Sequence, residues 1–370
     1  LSALKDRAKG TSWIGEFLNF EARLRDNLSD RDKFGDTETS RAGRARIVDS
    51  LNALALENLG TTFNDLCLPT ESSSSRRPPA QTYLQWCGGA EIAVRGHRYL
   101  LHDPVEETYA PDRSFVLRRA KAWQEEADRL VWLKETRLFR TTPAAIQARD
   151  SLRYEGRLLA QFKRQPDFPS LLDIEEGDEA VAIVFSFSSG PALEQAFGPL
   201  NQPMDAGQAY RLLRSLHPLC RMLRTLHRQD LAHRYLTPET IILLEERRNH
   251  AVLRDLGLAA QPRTSDEGPP LYRAPEQTRE RGLSLPGPHT DIYQLGAVLY
   301  HLLTGRTPTS FLSEIEPPSI WNRSFPVELD RALIRARAKS PGDRWSTLQD
   351  FCLALDRAAE LLVSQLRGEE

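Results

Sequence analysis

The chain has 370 residues, with 49 Lys and Arg against 51 Asp and Glu and a formal net charge of −2, so no one-signed field marks it as a nucleic-acid binder. Its four cysteines, Cys67, Cys87, Cys220 and Cys352, have no CxxC spacing and its eight histidines no HxxxH spacing, which argues for reduced thiols in a cytoplasmic protein over a disulfide framework or a structural metal. No apolar run is long enough to span a bilayer and no signal peptide is visible, so no membrane partner is expected.

Residues 1–68 read as a small helical module. Trp13, Phe17, Phe20 and Leu24 recur at helical spacing, and Ile47, Val48, Leu51, Leu54 and Ala55 form a second stripe that stops at Gly60. Thr61 or Thr62 can cap a short third helix through Phe63, Leu66 and Cys67. Apolar helical faces must be buried, against another protein or against this chain, and the periodicity does not choose between them. Residues 69–80, with four serines before Arg76-Arg77-Pro78-Pro79, read as a flexible linker. Beyond it, Tyr83, Trp86, Ile92 and Val94 around Gly88-Gly89 predict extra strands.

Two strand candidates follow, Arg98-Tyr99-Leu100-Leu101-His102 and Ser114-Phe115-Val116-Leu117. The loop expected between them, residues 103–112, has no glycine, two prolines and the acidic pair Glu106-Glu107. The next strand, Leu130-Val131-Trp132-Leu133-Lys134, ends in a cation, and Arg153 to Leu159 predicts a helix carrying Glu155. Ala182-Ile183-Val184-Phe185 reads as a further strand leading into Ser186-Phe187-Ser188. Leu212, Leu216, Leu219, Cys220, Leu223 and Leu226 make one long apolar helical stripe. After it come His233-Arg234-Tyr235-Leu236-Thr237-Pro238-Glu239-Thr240-Ile241-Ile242, then Asp255-Leu256-Gly257, then Ala274-Pro275-Glu276. Asp291 opens a helix through Ile292, Leu295, Val298, Leu299, Leu302 and Leu303 that ends at Gly305 and Pro308, and Pro341-Gly342-Asp343-Arg344-Trp345 closes the series.

These segments, in this order, resemble the catalytic loop, metal-binding DFG, APE, central-helix and closing arginine motifs of the protein-kinase superfamily, and most closely its bacterial Ser/Thr branch. The resemblance implies an α+β, bilobal fold with a small β-rich N-lobe over residues 81–189 and a helical C-lobe over residues 190–370. It implies that Lys134 holds nucleotide phosphates with Glu155 as its partner, that Phe185 lies at the back of the nucleotide cleft, and that Ser186, Phe187 and Ser188 form the hinge. It makes Asp255 the candidate magnesium ligand within the motif ending at Gly257. His233 and Arg234 would anchor the catalytic loop, Asp291 would cap its backbone, and Glu276 with Arg344 would form a buried ion pair.

The departures from the family pattern fall on the chemistry. The catalytic-loop Asp, Lys and Asn are replaced by Tyr235, Thr237 and Thr240. Phosphoryl transfer relies on positioning and on charge neutralisation, and a phenol is a poor stand-in for a carboxylate base; loss of such a base alone costs about two to four powers of ten in rate. Without glycines the 103–112 segment cannot bring backbone N–H groups close to a phosphate. A carboxylate at about 4 Å from a phosphate opposes it by roughly 4 kcal/mol, unless Glu106 and Glu107 point to solvent. The expectation is a pseudokinase that binds other proteins through the helical module and the C-lobe, needs no cofactor and binds ATP and magnesium at most weakly. An atypical active Ser/Thr kinase and a nucleotide-sensing, non-catalytic switch are the alternatives.

Overall fold

The computed structural model describes residues 86–188, 190–244, 250–278, 284–308 and 315–367, together with individual helical residues between positions 17 and 58. The chain divides into two compact units, Leu1–Tyr83 and Leu84–Glu370. In the first, every described residue is helical, and Phe17, Leu24, Ile47, Leu51, Leu54 and Ala55 are buried, as their spacing requires. The expected contributions of Trp13, Gly60, Thr61, Thr62, Phe63, Leu66, Cys67 and Tyr83, and of the 69–80 linker, lie outside the described residues.

The second unit begins with an antiparallel sheet. Its strands are β1 (Glu91–Val94), β2 (His97–Tyr109), β3 (Phe115–Gln124), β4 (Arg129–Leu138), β5 (Leu171–Glu176) and β6 (Ala180–Ser186), in the spatial order β1-β2-β3-β4-β6-β5. Successive strand side chains point to opposite faces. One face therefore buries Tyr99, Leu101, Ala120, Ala122, Val131, Leu133 and Val184 with Trp86. The other presents Arg119, Lys121, Trp132 and Lys134, paired across β3 and β4 as Arg119 opposite Lys134 and Lys121 opposite Trp132.

The helix α1 (Pro143–Gln161) crosses behind this sheet. Thr142 caps it by accepting the Ala145 amide at 3.2 Å, and Pro143 opens it where no donor is needed. Leu152, Leu158 and Leu159 are buried against the sheet, and Gly156 permits close approach, since a Cβ there would stand 2.6 Å from Ile174 Cδ1.

The large lobe is helical: α2 (Leu193–Phe197), α3 (Ala206–Ser215), α4 (His217–His227), α5 (Pro288–Thr304), α6 (Pro318–Trp321), α7 (Val327–Ala336) and α8 (Leu348–Arg367), with a two-stranded floor of β7 (Ile241–Leu243) and β8 (Ala251–Leu253). α5 is its buried spine, terminated by Gly305 in the left-handed region at φ 66°.

Three expectations are corrected. The 103–112 segment is mostly strand: β2 runs to Tyr109, with the register shift between His102 and Glu106 accommodating Pro104, and the turn spans Ala110 to Ser114. Glu106 is exposed, as the solvent alternative expects, whereas half-buried Glu107 turns to Arg118, whose Nε lies 2.8 Å from its carboxylate, within a cross-strand series that continues through Glu135 to Arg137. The long stripe before the catalytic loop is two helices that break at Leu216, because Pro218 supplies no N–H to continue α3 into α4. The expectation of reduced thiols fails for Cys220 and Cys352, which form a disulfide between α4 and α8, 132 residues apart in sequence and brought together by helix packing. Among the described residues no helix is long and apolar enough to cross a membrane.

Candidate functional site

The catalytic loop is held from below by α5. Asp291, fully buried, accepts the His233 and Arg234 amides at 2.8 and 2.7 Å and meets His227 Nε2 at 2.9 Å. Burial alone would raise its pKa, but the His227 contact and the amides lower it below the usual carboxylate range. Gln294, one turn along α5, accepts the Leu236 amide and donates to the Arg234 carbonyl and to Gln277. Arg234, with φ 59°, turns its guanidinium onto Glu267 at 2.8 Å and onto the carbonyls of Leu258 and Gln261, which fixes the segment between Asp255 and Glu276. Glu276 and Arg344 form a buried two-pronged pair at 2.7 and 2.8 Å, and Thr290 donates to the same carboxylate. Burial pushes the Glu276 carboxyl up, and Arg344 more than offsets it, so the net shift is downward.

Above this frame the groups that bear chemistry are arranged differently. Tyr235 is exposed, its side chain unburied where the resemblance expects a base. Thr237 and Thr240 are buried and answer each other: the Thr240 hydroxyl accepts the Thr237 amide at 2.9 Å and donates to its carbonyl at 3.1 Å, and the Thr237 hydroxyl accepts the Thr240 amide at 3.3 Å. Their oxygens complete the loop backbone. Lys134 meets Glu155 of α1 at 2.7 Å, so the sequence-predicted pair does come together. Phe185 is fully buried beneath Lys134, its ring centroid 5.6 Å from Nζ. Ser186 ends β6 and accepts the Ser170 amide at 2.9 Å; Phe187 and Ser188 follow, half-buried.

Asp255 is buried beneath the sheet. Gly257 donates its amide to Oδ1 at 2.9 Å and takes φ 55°, where a Cβ would meet the His233 imidazole at 2.6 Å, so only glycine fits. The Arg119 guanidinium stands 2.9 Å from Asp255 Oδ2, with Lys134 at 4.0 Å and Arg254 at 3.9 Å from the same oxygen. Desolvation raises the Asp255 carboxyl, but Lys134, Arg119 and His233 together hold it well below the usual range.

Trp132 fills the space beside this pair. It is 7% exposed, and it packs with the large-lobe core. The Arg119 guanidinium lies 4.1 Å from its ring centroid, Arg254 at 5.8 Å and Phe187 at 5.8 Å, while Lys121 stands 5.2 Å from the Phe187 ring. Sequence reading missed Trp132, Arg119, Lys121 and Arg254. The signal was present for Trp132, which stands at the alanine of the V-A-I-K strand motif and, two residues before Lys134, shares its face.

A small twisted sheet with one supporting helix, stacked on a helical lobe whose loops converge beneath it, defines a protein-kinase architecture with an altered cleft. The sequence profile of the family described as Protein kinase domain matches residues 120–350, so the chain belongs to the protein-kinase family. It is 28% identical over 240 residues to the serine/threonine-protein kinase pkn3 of Myxococcus xanthus, covering 55% of this chain and 42% of that protein. It is 29% identical over 227 residues to the serine/threonine-protein kinase PrkC of Bacillus subtilis, covering 53% of this chain and 33% of PrkC. The chain thus spans less than half the length of either relative.

Kinase folds ordinarily bind ATP with magnesium between the lobes. The donor set here fits that pair poorly. The Asp255 oxygen that would ligate a cation already faces three cationic side chains, and the Thr240 hydroxyl is engaged within its own loop.

Proposed function

We propose that this chain is a pseudokinase: a kinase-family fold that acts as a protein-binding scaffold or signalling adaptor, with phosphoryl transfer absent or very weak. The observation that carries this reading is the Arg119–Asp255 contact at 2.9 Å over the buried Trp132 indole, which sets a resident cation and an aromatic ring where a metal and a ligand would have to lie. Tyr235 supports it independently, since a positioned carboxylate is missing from the loop that would orient an acceptor hydroxyl. The relatives are named as kinases. For this chain, kinship extends to the fold, and the transfer chemistry is what the substitutions remove.

Partner binding is assigned to the large lobe and to the N-terminal unit, which lies outside the matched family span. The test of the inactive reading is incubation of purified protein with radiolabelled ATP, magnesium or manganese, and a generic Ser/Thr substrate. The expected incorporation equals that of an Asp255→Ala variant. Label transfer that Asp255→Ala abolishes would establish the atypical active kinase instead.

A second reading, a nucleotide-sensing switch without transfer, is favoured by one observation. Lys134 and Glu155 keep their 2.7 Å ion pair, an arrangement that kinases require for nucleotide engagement. Thermal unfolding with and without ATP and magnesium separates it from the scaffold, which shows no magnesium-dependent rise in midpoint.

A further inference from the structure

Two features of the cleft go beyond a loss of catalysis. The first is the identity of the cation beside Asp255. Oδ2 faces Arg119, Arg254 and Lys134, and Oδ1 accepts the Gly257 amide and faces His233 Nε2 at 3.8 Å. Magnesium demands a near-octahedral shell of oxygens, and among the described residues no three metal-ligating side chains cluster anywhere. A divalent ion entering here would be repelled by the cations already present.

The second feature is an excess of cation. Arg119, Lys121 and Arg254 lie against the Trp132 ring and Lys134 over Phe185, whereas among the described residues Glu155 and Asp255 are the carboxylates in ion-pair contact with these cations. Glu106 and Glu239 act on Arg254 only through their fields. Arg119 Nε and Nη2 and Arg254 Nε are buried with no hydrogen-bond partner among the described residues. Buried polar groups are ordinarily paired, so a cluster of guanidinium N–H groups unanswered among the described residues suits an anionic acceptor. Lys134 and Arg254 keep 14% and 25% of their side-chain surface, which leaves the cluster open to a small ligand from one side.

We propose that this cleft is a metal-independent site for a phosphate-bearing anion, in which Arg119 takes the place of the divalent cation and Trp132 the place of a base. The ligand is a compact, multiply charged phosphate: either a free inorganic polyphosphate or the phosphate tail of a nucleotide whose base stays outside. Magnesium neutralises such an anion and so competes with the site. This inverts the usual dependence of a kinase cleft on the metal.

Isothermal titration calorimetry of the full chain with tripolyphosphate and with ATP, each in EDTA and in excess magnesium, tests it. Tripolyphosphate is expected to bind in EDTA, with magnesium weakening the binding. Equal affinity for tripolyphosphate and ATP identifies the phosphate chain as the ligand; weaker binding of ATP identifies free polyphosphate. Arg119→Ala and Arg254→Ala are each expected to lower tripolyphosphate affinity by about tenfold or more, the worth of one charge-assisted hydrogen bond. Arg254→Ala leaves the Arg119–Asp255 contact in place, so it decides the matter if Arg119→Ala fails to fold. Absence of tripolyphosphate binding at millimolar concentration, a requirement for magnesium, or indifference to Arg254→Ala would each overturn the proposal. The scaffold reading has its own test in the transfer of label from ATP, so the absence of polyphosphate binding alone leaves it standing.

Discussion

The base of the large lobe and the cleft above it are both built from buried charge, and they use it in opposite ways. At the base, each charge meets its complement: Arg344 takes both oxygens of Glu276, and Asp291 takes two amides and a histidine. In the cleft, three cations converge on one oxygen of Asp255, and arginine donors remain without partners among the described residues. Both arrangements descend from one family pattern. Their divergence separates what that pattern needs in order to fold from what it needs in order to react.

The sharpest way to break the comparison is at its well-paired end. Glu276→Ala strands Arg344, which is 1% exposed, and removing one member of a buried pair costs about 3–5 kcal/mol. Urea unfolding should register that loss in full. A change under about 1 kcal/mol would mean that the pair is a passenger in the lobe. In the cleft, Trp132→Ala is expected to cost about 3 kcal/mol through the cavity left by the indole, and to be partly compensated by a gain. With the ring gone, ATP should raise the midpoint of thermal unfolding in the variant by more than in the parent. An equal response in both would show that Trp132 does not govern entry.

Acid acts on both regions at once and sharpens the contrast. Glu276, Asp291 and Asp255 all titrate below the usual carboxylate range in the folded chain. As pH falls the unfolded chain therefore takes up protons first. The stability these groups contribute is fully present above about pH 4 and is lost as pH drops through their folded values. Denaturant midpoints measured from pH 7 to pH 3 should fall steeply only below about pH 4, and Glu276→Gln should flatten that fall. A decline centred near pH 6 would point to histidines instead.

The same contrast explains what could be read from the sequence. The base was legible because its residues belong to motifs in the family's order: Asp291 opens the central helix and holds the loop that starts at His233, and Gly257 takes a φ only glycine favours. The Lys134–Glu155 pair was legible because strand and helix each carry one charge at the expected place. Arg119 was not, because its meaning depends on strand register, which sets it opposite Lys134 and beside Asp255, whereas Trp132 carried a signal in its place at the alanine of the strand motif. The 103–112 segment was misread for a related reason: prolines and glutamates signal a loop until cross-strand arginines answer the glutamates. The Cys220–Cys352 bridge depends on how α4 and α8 pack, which spacing along the chain does not encode.

The smallest expected effect is at the position where the sequence departs most visibly from the family. Tyr235 is 39% exposed, so Tyr235→Asp should leave stability within about 0.5 kcal/mol of the parent. If the missing base were the only defect, the substitution would restore transfer of label from ATP by orders of magnitude. The cleft predicts otherwise. A carboxylate at 235 cannot act while Arg119 holds Asp255, Trp132 fills the adjoining space, and Thr237 and Thr240 keep each other's hydroxyls. Tyr235→Asp should therefore remain inactive alone. Measurable turnover from that single change would place the defect in the loop and acquit the cleft.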